Sequence, residues 1–234
     1  MSTKNASRHT VPSSWKDNPW VWVLSFERVE TQTSGGKPIL FSGEMVRAIL
    51  EGRKTQTRRT TKPQPHPDFL ARGLVGGIPV PQWPQQNGVR WFMADGLSEL
   101  TECPYGKPGD TLWVRETWAW PGEEFTLHRA DPEAQAIADK WATNKNYPKV
   151  HWRPSIFMPR NVSRITLKLT DIRCERLRSI TELGAIAEGV EARADRTAVM
   201  SYATLWDSIN AKRPPKVNAP SVTVQRKGGE ANSH

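Results

Sequence analysis

One stretch decides the class of fold: Asn18-Pro-Trp-Val-Trp-Val-Leu-Ser-Phe-Glu-Arg-Val29. Between Trp20 and Phe26 it is almost entirely β-branched and aromatic, which is typical of a strand covered on much of both faces. Because such a strand is an aggregation hazard when its edge is free, we predict that it pairs within one sheet. We expect its partners to be Thr111–Thr117 or Ile165–Leu169.

Those two segments carry strand patterns of their own. Within Thr111–Thr117, Leu112 and Val114 alternate with tryptophan and arginine, as the side chains of a strand do. Across Ile165–Leu169 every second residue is apolar, which is the clearest period of two in the chain. One face of that strand is therefore expected to be buried.

Four segments carry helix signals, so the predicted fold class is α+β. The first runs from Ser42 to Gly52, and the second runs from Asp131 to about Trp141. The third runs from Ser179 to Gly189, and the fourth includes Val199, Tyr202, Trp206 and Ile209. The third rests on a capping box, because a glutamate follows Ser179 three residues later.

The chain has 234 residues, which suits one domain with extensions. Residues 1–14 predict a disordered tail, and residues 211–234 predict a basic flexible tail. The domain spans 15–210, with a linker of small polar residues at 31–36. A proline-rich stretch from Lys62 to Pro84 is expected to be a long irregular loop or insertion.

Composition excludes several classes of protein. The formal net charge of +9 favours a polyanionic partner. The sequence has no apolar run of about 20 residues and no signal-peptide region, which predicts a cytoplasmic protein without a membrane partner. Cys103 and Cys174 are predicted to be buried free thiols. The histidines lack metal-ligand spacing and no glycine-rich nucleotide loop occurs, so we expect neither a metal nor a cofactor.

A basic motif follows the first helix: Gly52-Arg-Lys-Thr-Gln-Thr-Arg-Arg59. It could simply be a solvated cluster, since cations beyond a helix C-terminus gain about 0.3–1 kcal/mol each from the helix dipole. However, Gly52, Lys54, Thr57 and Arg59 match the pattern Gly-x-Lys-x-x-Thr-x-Arg and resemble the ASCH family. Together with the order of the later elements, the resemblance covers most of residues 18–210. It implies a PUA-like mixed β-barrel with flanking helices, in which the motif lies on a polar loop.

One departure from the larger phage and bacterial ASCH proteins concerns chain order. In those relatives the strand matching Asn18–Val29 closes the chain, whereas here it comes first. The chain therefore looks circularly permuted, which is tolerated where termini are close and the joint is exposed. Alternatively, the strand is duplicated or supplied to a neighbouring molecule, so both a monomer and a dimer remain open.

The resemblance also implies a reaction. Small ASCH members that hydrolyse N(4)-acetylcytidine use a lysine, a threonine and a glutamate, which here match Lys54, Thr57 and Glu188. We interpret Thr57 as the nucleophile, Lys54 as its base and Glu188 as a proton shuttle to the leaving nitrogen. Lys54 can act as a base only if burial and neighbouring arginines lower its pKa. Water activated by Glu188, with Thr57 as a hydrogen-bond donor, is the competing mechanism.

Four further residues are predicted to bind the acylated cytidine: Arg58, Arg59, Glu116 and Trp118. Arginine and tryptophan suit a pyrimidine because they hydrogen-bond its edge and stack on its face. Glu116 lies at a strand end, where it either contacts substrate or pairs with Arg115.

Two basic stretches support an alternative function. Positive residues are concentrated in Arg47–Lys62 and Lys149–Arg178, and a groove between these stretches would bind an RNA backbone. The alternatives to the amidohydrolase are therefore a non-catalytic, phage-related RNA-binding module and a ribonuclease that uses the same lysine and glutamate on phosphate.

Overall fold

The structure is a computed structural model. It describes residues 14–30, 35–62, 64, 98–121, 125–144, 146–191 and 194–210, with four short strands between 74 and 92. Both predicted tails, apart from Ser14, and most of the predicted linker 31–36 lie outside the described residues.

Twelve strands and four α-helices are described. The strands are β1 (Trp20–Val29), β2 (Lys37–Leu40), β3 (Gln56–Thr60), β4 (Leu74–Val75), β5 (Ile78–Pro79), β6 (Gln82–Gln85), β7 (Gly88–Phe92), β8 (Ser98–Glu102), β9 (Thr111–Arg115), β10 (Trp118–Ala119), β11 (Leu127–His128) and β12 (Thr166–Arg176). The helices are α1 (Gly43–Leu50), α2 (Pro132–Thr143), α3 (Glu182–Ala187) and α4 (Ala198–Asn210).

The main sheet has five strands in the order β2-β9-β12-β1-β3. β1 is antiparallel to β12 and to β3, while β2 runs parallel to β9, so the sheet is mixed and the fold is α+β as predicted. The predicted pairing of Trp20–Phe26 with the segment around Leu169 is confirmed, because Phe26 lies opposite Leu169. β2 and β3 are the two edges of this sheet, and Arg59 on β3 donates from Nη2 to the carbonyl oxygen of Leu40 at 2.6 Å.

β1 is apolar on both faces because both faces are covered. Trp22 and Leu24 pack in the main core with residues of β9, β12 and α1. Val21 and Val23 point the other way and pack under α4, against Tyr202 and neighbouring residues. Burial of each large apolar side chain contributes about 1.5–3 kcal/mol, so the sheet is held from two sides. Cys103 and Cys174 are buried free thiols, as predicted.

The first two helices begin where the sequence predicts. Ser42 caps α1 by accepting a hydrogen bond from the backbone nitrogen of Met45, and Gly52 follows the helix with a φ of 76°. α2 follows Asp131 at Pro132. Among the described residues, none of the helices has the length and apolar character of a membrane span.

The predicted capping box at Ser179 is wrong. Ser179 belongs to a 3₁₀ turn, and Thr181 caps α3 by accepting a hydrogen bond from the nitrogen of Gly184 at 3.1 Å. The glutamate of the pattern, Glu182, instead accepts a hydrogen bond from the nitrogen of Ala198 at 2.8 Å. A carboxylate can accept hydrogen bonds from the free backbone N–H groups of any helix N-terminus within reach. Glu182 does so at the N-terminus of α4.

The prediction of an irregular loop over Lys62–Pro84 also needs correction. The described parts include β4, β5 and β6, and β4 pairs with β5 while β6 begins a three-stranded antiparallel sheet with β7 and β8. Pro79 and Pro84 lie in strands at the edges of these small sheets. An edge strand tolerates proline because the missing N–H costs no ladder hydrogen bond.

Candidate functional site

The end of α3 is joined to the turn after α1. Lys54 and Glu188 form an isolated antiparallel bridge, and the nitrogen of Thr55 donates to the carbonyl oxygen of Ala187 at 2.9 Å. Gly189 follows with a φ of +86°, and a Cβ at this position would lie 3.0 Å from the Cβ atoms of both Ala48 and Lys54. Glycine therefore allows the chain to turn tightly here and brings Glu188 against Lys54.

Lys54 and Glu188 form a buried ion pair. Lys54 Nζ lies 2.8 Å from Glu188 Oε2, and the two side chains are 0% and 2% exposed. Nζ also donates to the backbone carbonyl oxygens of Gln56 and Glu188, at 2.9 and 2.8 Å. All three ammonium hydrogens therefore have an acceptor, which fixes the position of the amine.

Arg58 binds the other oxygen of Glu188. Its Nη1 donates to Glu188 Oε1 at 3.1 Å, and its Nη2 donates to Glu175 Oε1 at 2.7 Å. The same Nη1 donates to the side-chain oxygen of Gln56 at 2.9 Å. Two cations and two carboxylates thus form one connected group, which we call the buried charge network: Lys54, Arg58, Glu175 and Glu188.

The electrostatic environment changes the acidity of two side chains here. Burial lowers the pKa of the Lys54 amine, while the charge and hydrogen bond of Glu188 act in the opposite direction and Arg58 and Arg59 lower it further. Burial raises the pKa of Tyr202 well above its ordinary value, and the negative charge of Glu188 adds to this effect. The tyrosine therefore keeps its proton at ordinary pH, and the lysine loses its proton more easily than a lysine in water.

Thr57 borders a small cavity beside the network. The cavity has a volume of about 20 Å³ and is lined by Thr57, Arg59, Glu188 and Tyr202 together with apolar residues of α1 and α4. This is about the space that one water molecule requires. Residues 52–55 lie in the connection between α1 and β3, whereas Thr57 lies on β3 opposite Leu24 and is 2% exposed, so the expected loop covers only the first half of the motif.

A larger cleft of about 590 Å³ lies between α1 and α4. Its walls carry charged and hydroxyl side chains, including Arg47 on α1 and Ser201 on α4. Met45, Glu188 and Leu205 line both the cleft and the small cavity. The cleft and the small cavity therefore adjoin each other at these three side chains.

The structure brings only some of the predicted site residues together. Arg59 lines the small cavity, and its guanidinium lies 5.2 Å from the centre of the Phe41 ring. Arg58 contacts Glu188, as described above. Lys54 contacts Glu188, and Thr57 lines the small cavity together with Glu188 and these two arginines.

Glu116 and Trp118 lie in another part of the molecule. Glu116 is 1% exposed and accepts hydrogen bonds from Arg164 Nε and Nη2 at 3.0 and 3.2 Å, so its predicted pairing with Arg115 is wrong. Trp118 is buried beneath the guanidinium of Arg153, which lies 5.1 Å from its ring centre.

Two residues of the site, Glu175 and Tyr202, were not predicted. Glu175 belongs to the strand β12, and Tyr202 was assigned only to the apolar face of a helix. Neither residue lies in the motif, so no sequence signal distinguishes them from their neighbours. Their contacts with Arg58 and Glu188 identify them.

Neither a family model nor a curated protein nor a solved structure matches this chain. The resemblance to the ASCH family therefore rests on the motif residues and on the order of the elements. Within the described residues, no three histidine, cysteine, aspartate or glutamate side chains are grouped closely enough to hold a metal ion.

Proposed function

We propose that the chain is an amidohydrolase that removes the acyl group from N(4)-acylated cytosine nucleosides. The observation that carries the proposal is the 2.8 Å contact between Lys54 Nζ and Glu188 Oε2, beside a cavity that Glu188 shares with Thr57. Amide hydrolysis needs a nucleophile, a base, charge stabilisation for the oxyanion and an acid for the leaving amine. Thr57, Lys54, Arg59 and Glu188 are the groups here that can supply them.

The proposed framework is a circularly permuted ASCH domain with a PUA-like barrel. The contact of Arg59 with the carbonyl oxygen of Leu40 supports this framework, because it links the two edge strands of the main sheet. The position of β1 inside the sheet supports permutation within one chain over a strand given to a neighbour.

The ion pair can prepare both a base and an acid. When a proton moves from Lys54 Nζ to Glu188 Oε2, the pair becomes a neutral amine and a neutral carboxylic acid. Thr57 Oγ1 then bonds to the acyl carbon and passes its proton to Lys54. The carbon–nitrogen bond breaks, its electron pair stays on N4, and N4 takes the proton of Glu188. Water hydrolyses the resulting threonine ester, which releases the acid and restores the hydroxyl of Thr57.

The competing route uses water directly. A cavity of about 20 Å³ bordered by Thr57 and Glu188 suits one attacking water. In this route Glu188 takes the proton of the water while Thr57 donates a hydrogen bond. Both routes give the same products, so only substitution of Thr57 separates them.

The substrate needs more room than the small cavity offers. The neighbouring cleft of about 590 Å³ falls within the usual size of small-molecule sites. We therefore place the nucleoside in the cleft, with its acyl group directed past Met45 and Leu205 toward Thr57. Arg58 then positions Glu188, and Arg59 is the arginine available to the substrate.

The test is release of cytidine from N(4)-acetylcytidine by the intact chain and its variants. Thr57→Ala and Lys54→Ala should each lower kcat/KM by about two to four orders of magnitude, the usual size of a lost nucleophile or base. Thr55→Ala is the matched control, because Thr55 is an exposed threonine of the same motif. In the unsubstituted chain kcat/KM should fall as pH rises through a midpoint below the ordinary lysine pKa, because the reacting pair must hold one proton and burial lowers the pKa of Lys54.

Each outcome has a distinct meaning. Full activity in Thr57→Ala would eliminate the covalent route and favour water activated by Glu188. Absence of hydrolysis by the unsubstituted chain with any acylated cytidine would contradict the proposed function.

A further inference from the structure

Tyr202 on α4 lies against the buried charge network. It is 3% exposed, and its ring centre lies 6.3 Å from that of Trp15 and 6.2 Å from that of Trp206. The guanidinium carbon of Arg58 lies 6.0 Å from the centre of the same ring. Because Arg58 donates to Glu188, the tyrosine lies beside the carboxylate that the proposed reaction uses.

The hydroxyl of Tyr202 is a hydrogen-bond donor that keeps its proton. Burial raises the pKa of Tyr202 well above its ordinary value, and the charge of Glu188 raises it further, against the opposing charges of Arg58 and Arg59. A hydrogen bond to Glu188 adds to the increase. A phenol with so high a pKa is too weak an acid to protonate a leaving amine at neutral pH. Its chemical role is therefore that of a donor.

Few other donors that line the small cavity are free. Asn210 Nδ2 donates to a carbonyl oxygen of its own helix at 3.1 Å, and both Nη atoms of Arg58 donate to carboxylates. Arg59 Nη2 donates to a carbonyl oxygen, although within the described part of the chain its buried Nε has no acceptor. Since Thr57 is the proposed nucleophile, the hydroxyl of Tyr202 and Arg59 Nε are left to stabilise new negative charge.

We propose that Tyr202 is a further catalytic residue, whose hydroxyl donates a hydrogen bond to the acyl oxygen as that oxygen becomes negative. The inference rests on the proposed amidohydrolase function. In the resting site the hydroxyl faces the carboxylate of Glu188. When Glu188 takes the proton of Lys54, it becomes neutral and holds the hydroxyl less strongly, because a hydrogen bond to an ionised acceptor is the stronger one. The phenol hydrogen is then free to bind the acyl oxygen.

The step balances with no chemical change at Tyr202. Thr57 Oγ1 bonds to the carbonyl carbon, its proton passes to Lys54, and the π electron pair of the carbonyl group moves onto the acyl oxygen. The pair returns when the carbon–nitrogen bond breaks, and Tyr202 keeps its proton throughout. The remaining cavity walls are apolar: Met45, Leu205, Trp206 and Ile209. A donor fixed in such surroundings stabilises an oxyanion more than the same donor does in water.

Hydrolysis of N(4)-acetylcytidine by Tyr202→Phe tests the proposal. Phenylalanine keeps the ring that packs against Trp15 and Trp206, so the variant should fold, which circular dichroism and urea denaturation check. We expect kcat to fall about 100- to 1000-fold, the usual cost of one lost oxyanion donor. KM should stay nearly unchanged, because this hydrogen bond forms only in the transition state.

The matched control is Tyr147→Phe. Tyr147 is 46% exposed, and its ring stacks on that of Trp141 at 5.2 Å between ring centres. The substitution therefore removes a phenol hydroxyl that does not line the small cavity. Its kcat and KM should equal those of the unsubstituted chain.

A second acyl group distinguishes an oxyanion donor from a residue that only positions Glu188. The fluorine of N(4)-fluoroacetylcytidine withdraws electrons from the acyl oxygen, so the oxyanion needs less stabilisation, while the leaving nitrogen is unchanged. The loss of kcat in Tyr202→Phe should therefore be smaller for the fluoroacetyl substrate than for the acetyl substrate.

The outcomes separate this inference from the proposed function. Unchanged kcat in Tyr202→Phe, while the unsubstituted chain hydrolyses both substrates, would overturn the role of Tyr202 and leave the amidohydrolase intact. An equal loss for both acyl groups would also overturn it, because Tyr202 would then act through Glu188. A loss that lies entirely in KM would overturn it as well. No hydrolysis of either substrate by the unsubstituted chain would overturn both proposals.

Discussion

The buried charge network and the surface at Arg153 place the same kind of side chain in opposite environments. Arg58 is 1% exposed along its side chain and contacts two carboxylates, whereas Arg153 is exposed and lies on the ring of Trp118. A buried charge is costly unless a partner compensates it, while an exposed cation over a ring gains only about 0.5–1 kcal/mol. The network therefore fixes geometry, whereas the exposed charge of Arg153 adds little to stability.

Breaking the network should give the largest effect on stability. Glu188→Ala leaves Lys54 and Arg58 buried without the carboxylate between them, so we expect the free energy of unfolding to fall by about 3–5 kcal/mol. Urea denaturation followed by tryptophan fluorescence measures it. The control is Glu191→Ala, which removes an exposed carboxylate three residues away. A loss below about 1 kcal/mol in Glu188→Ala would show that the network carries little stability.

A smaller effect is expected at Gly189, where the tight turn of the chain brings Glu188 against Lys54. Gly189→Ala places a methyl group 3.0 Å from Ala48 Cβ and Lys54 Cβ on a backbone with a φ of +86°. The backbone alone costs about 1–2 kcal/mol, and the contacts add to it. Gly52→Ala is the matched control, because its φ is +76° but a Cβ there meets nothing within 4 Å. Equal losses of unfolding free energy in the two variants would show that the close packing at Gly189 contributes nothing.

The smallest effect is expected at Arg153. Arg153→Ala removes one exposed cation from an indole, so the free energy of unfolding should fall by at most about 1 kcal/mol. The same urea titration measures it. A loss comparable with that of Glu188→Ala would mean that the stacked arginines support the fold, and the contrast between the two regions would disappear.

The sequence predicted elements whose signal is local. β1 and β12 follow from composition and a period of two, and α1 follows from Ser42 and the glycine after its last turn. The strands within Lys62–Pro84 were missed because proline usually indicates a loop and only pairing at a sheet edge makes it compatible with a strand. The capping box failed because Glu182 caps a helix that begins 16 residues later.

The site, too, was predicted only where its residues carry a local signal. The motif indicated Lys54 and Thr57, and the ASCH resemblance indicated Glu188, yet the sequence left open whether these residues are buried or solvated. A run of basic residues is usually solvated, so the sequence favoured a polar loop. Pairing of β3 with β1 and the carboxylates of Glu175 and Glu188 make burial of these charges possible.

The sequence by itself determined the α+β class, the two interior strands β1 and β12 and the positions of lysine and threonine in the motif. Tertiary structure decided which charges are buried and which are exposed. The physical reason is range: periodicity and capping act over a few residues, whereas the environment of a charge depends on partners far along the chain. Glu188 lies 134 residues from Lys54, and the compensation of both charges exists only once α3 meets β3.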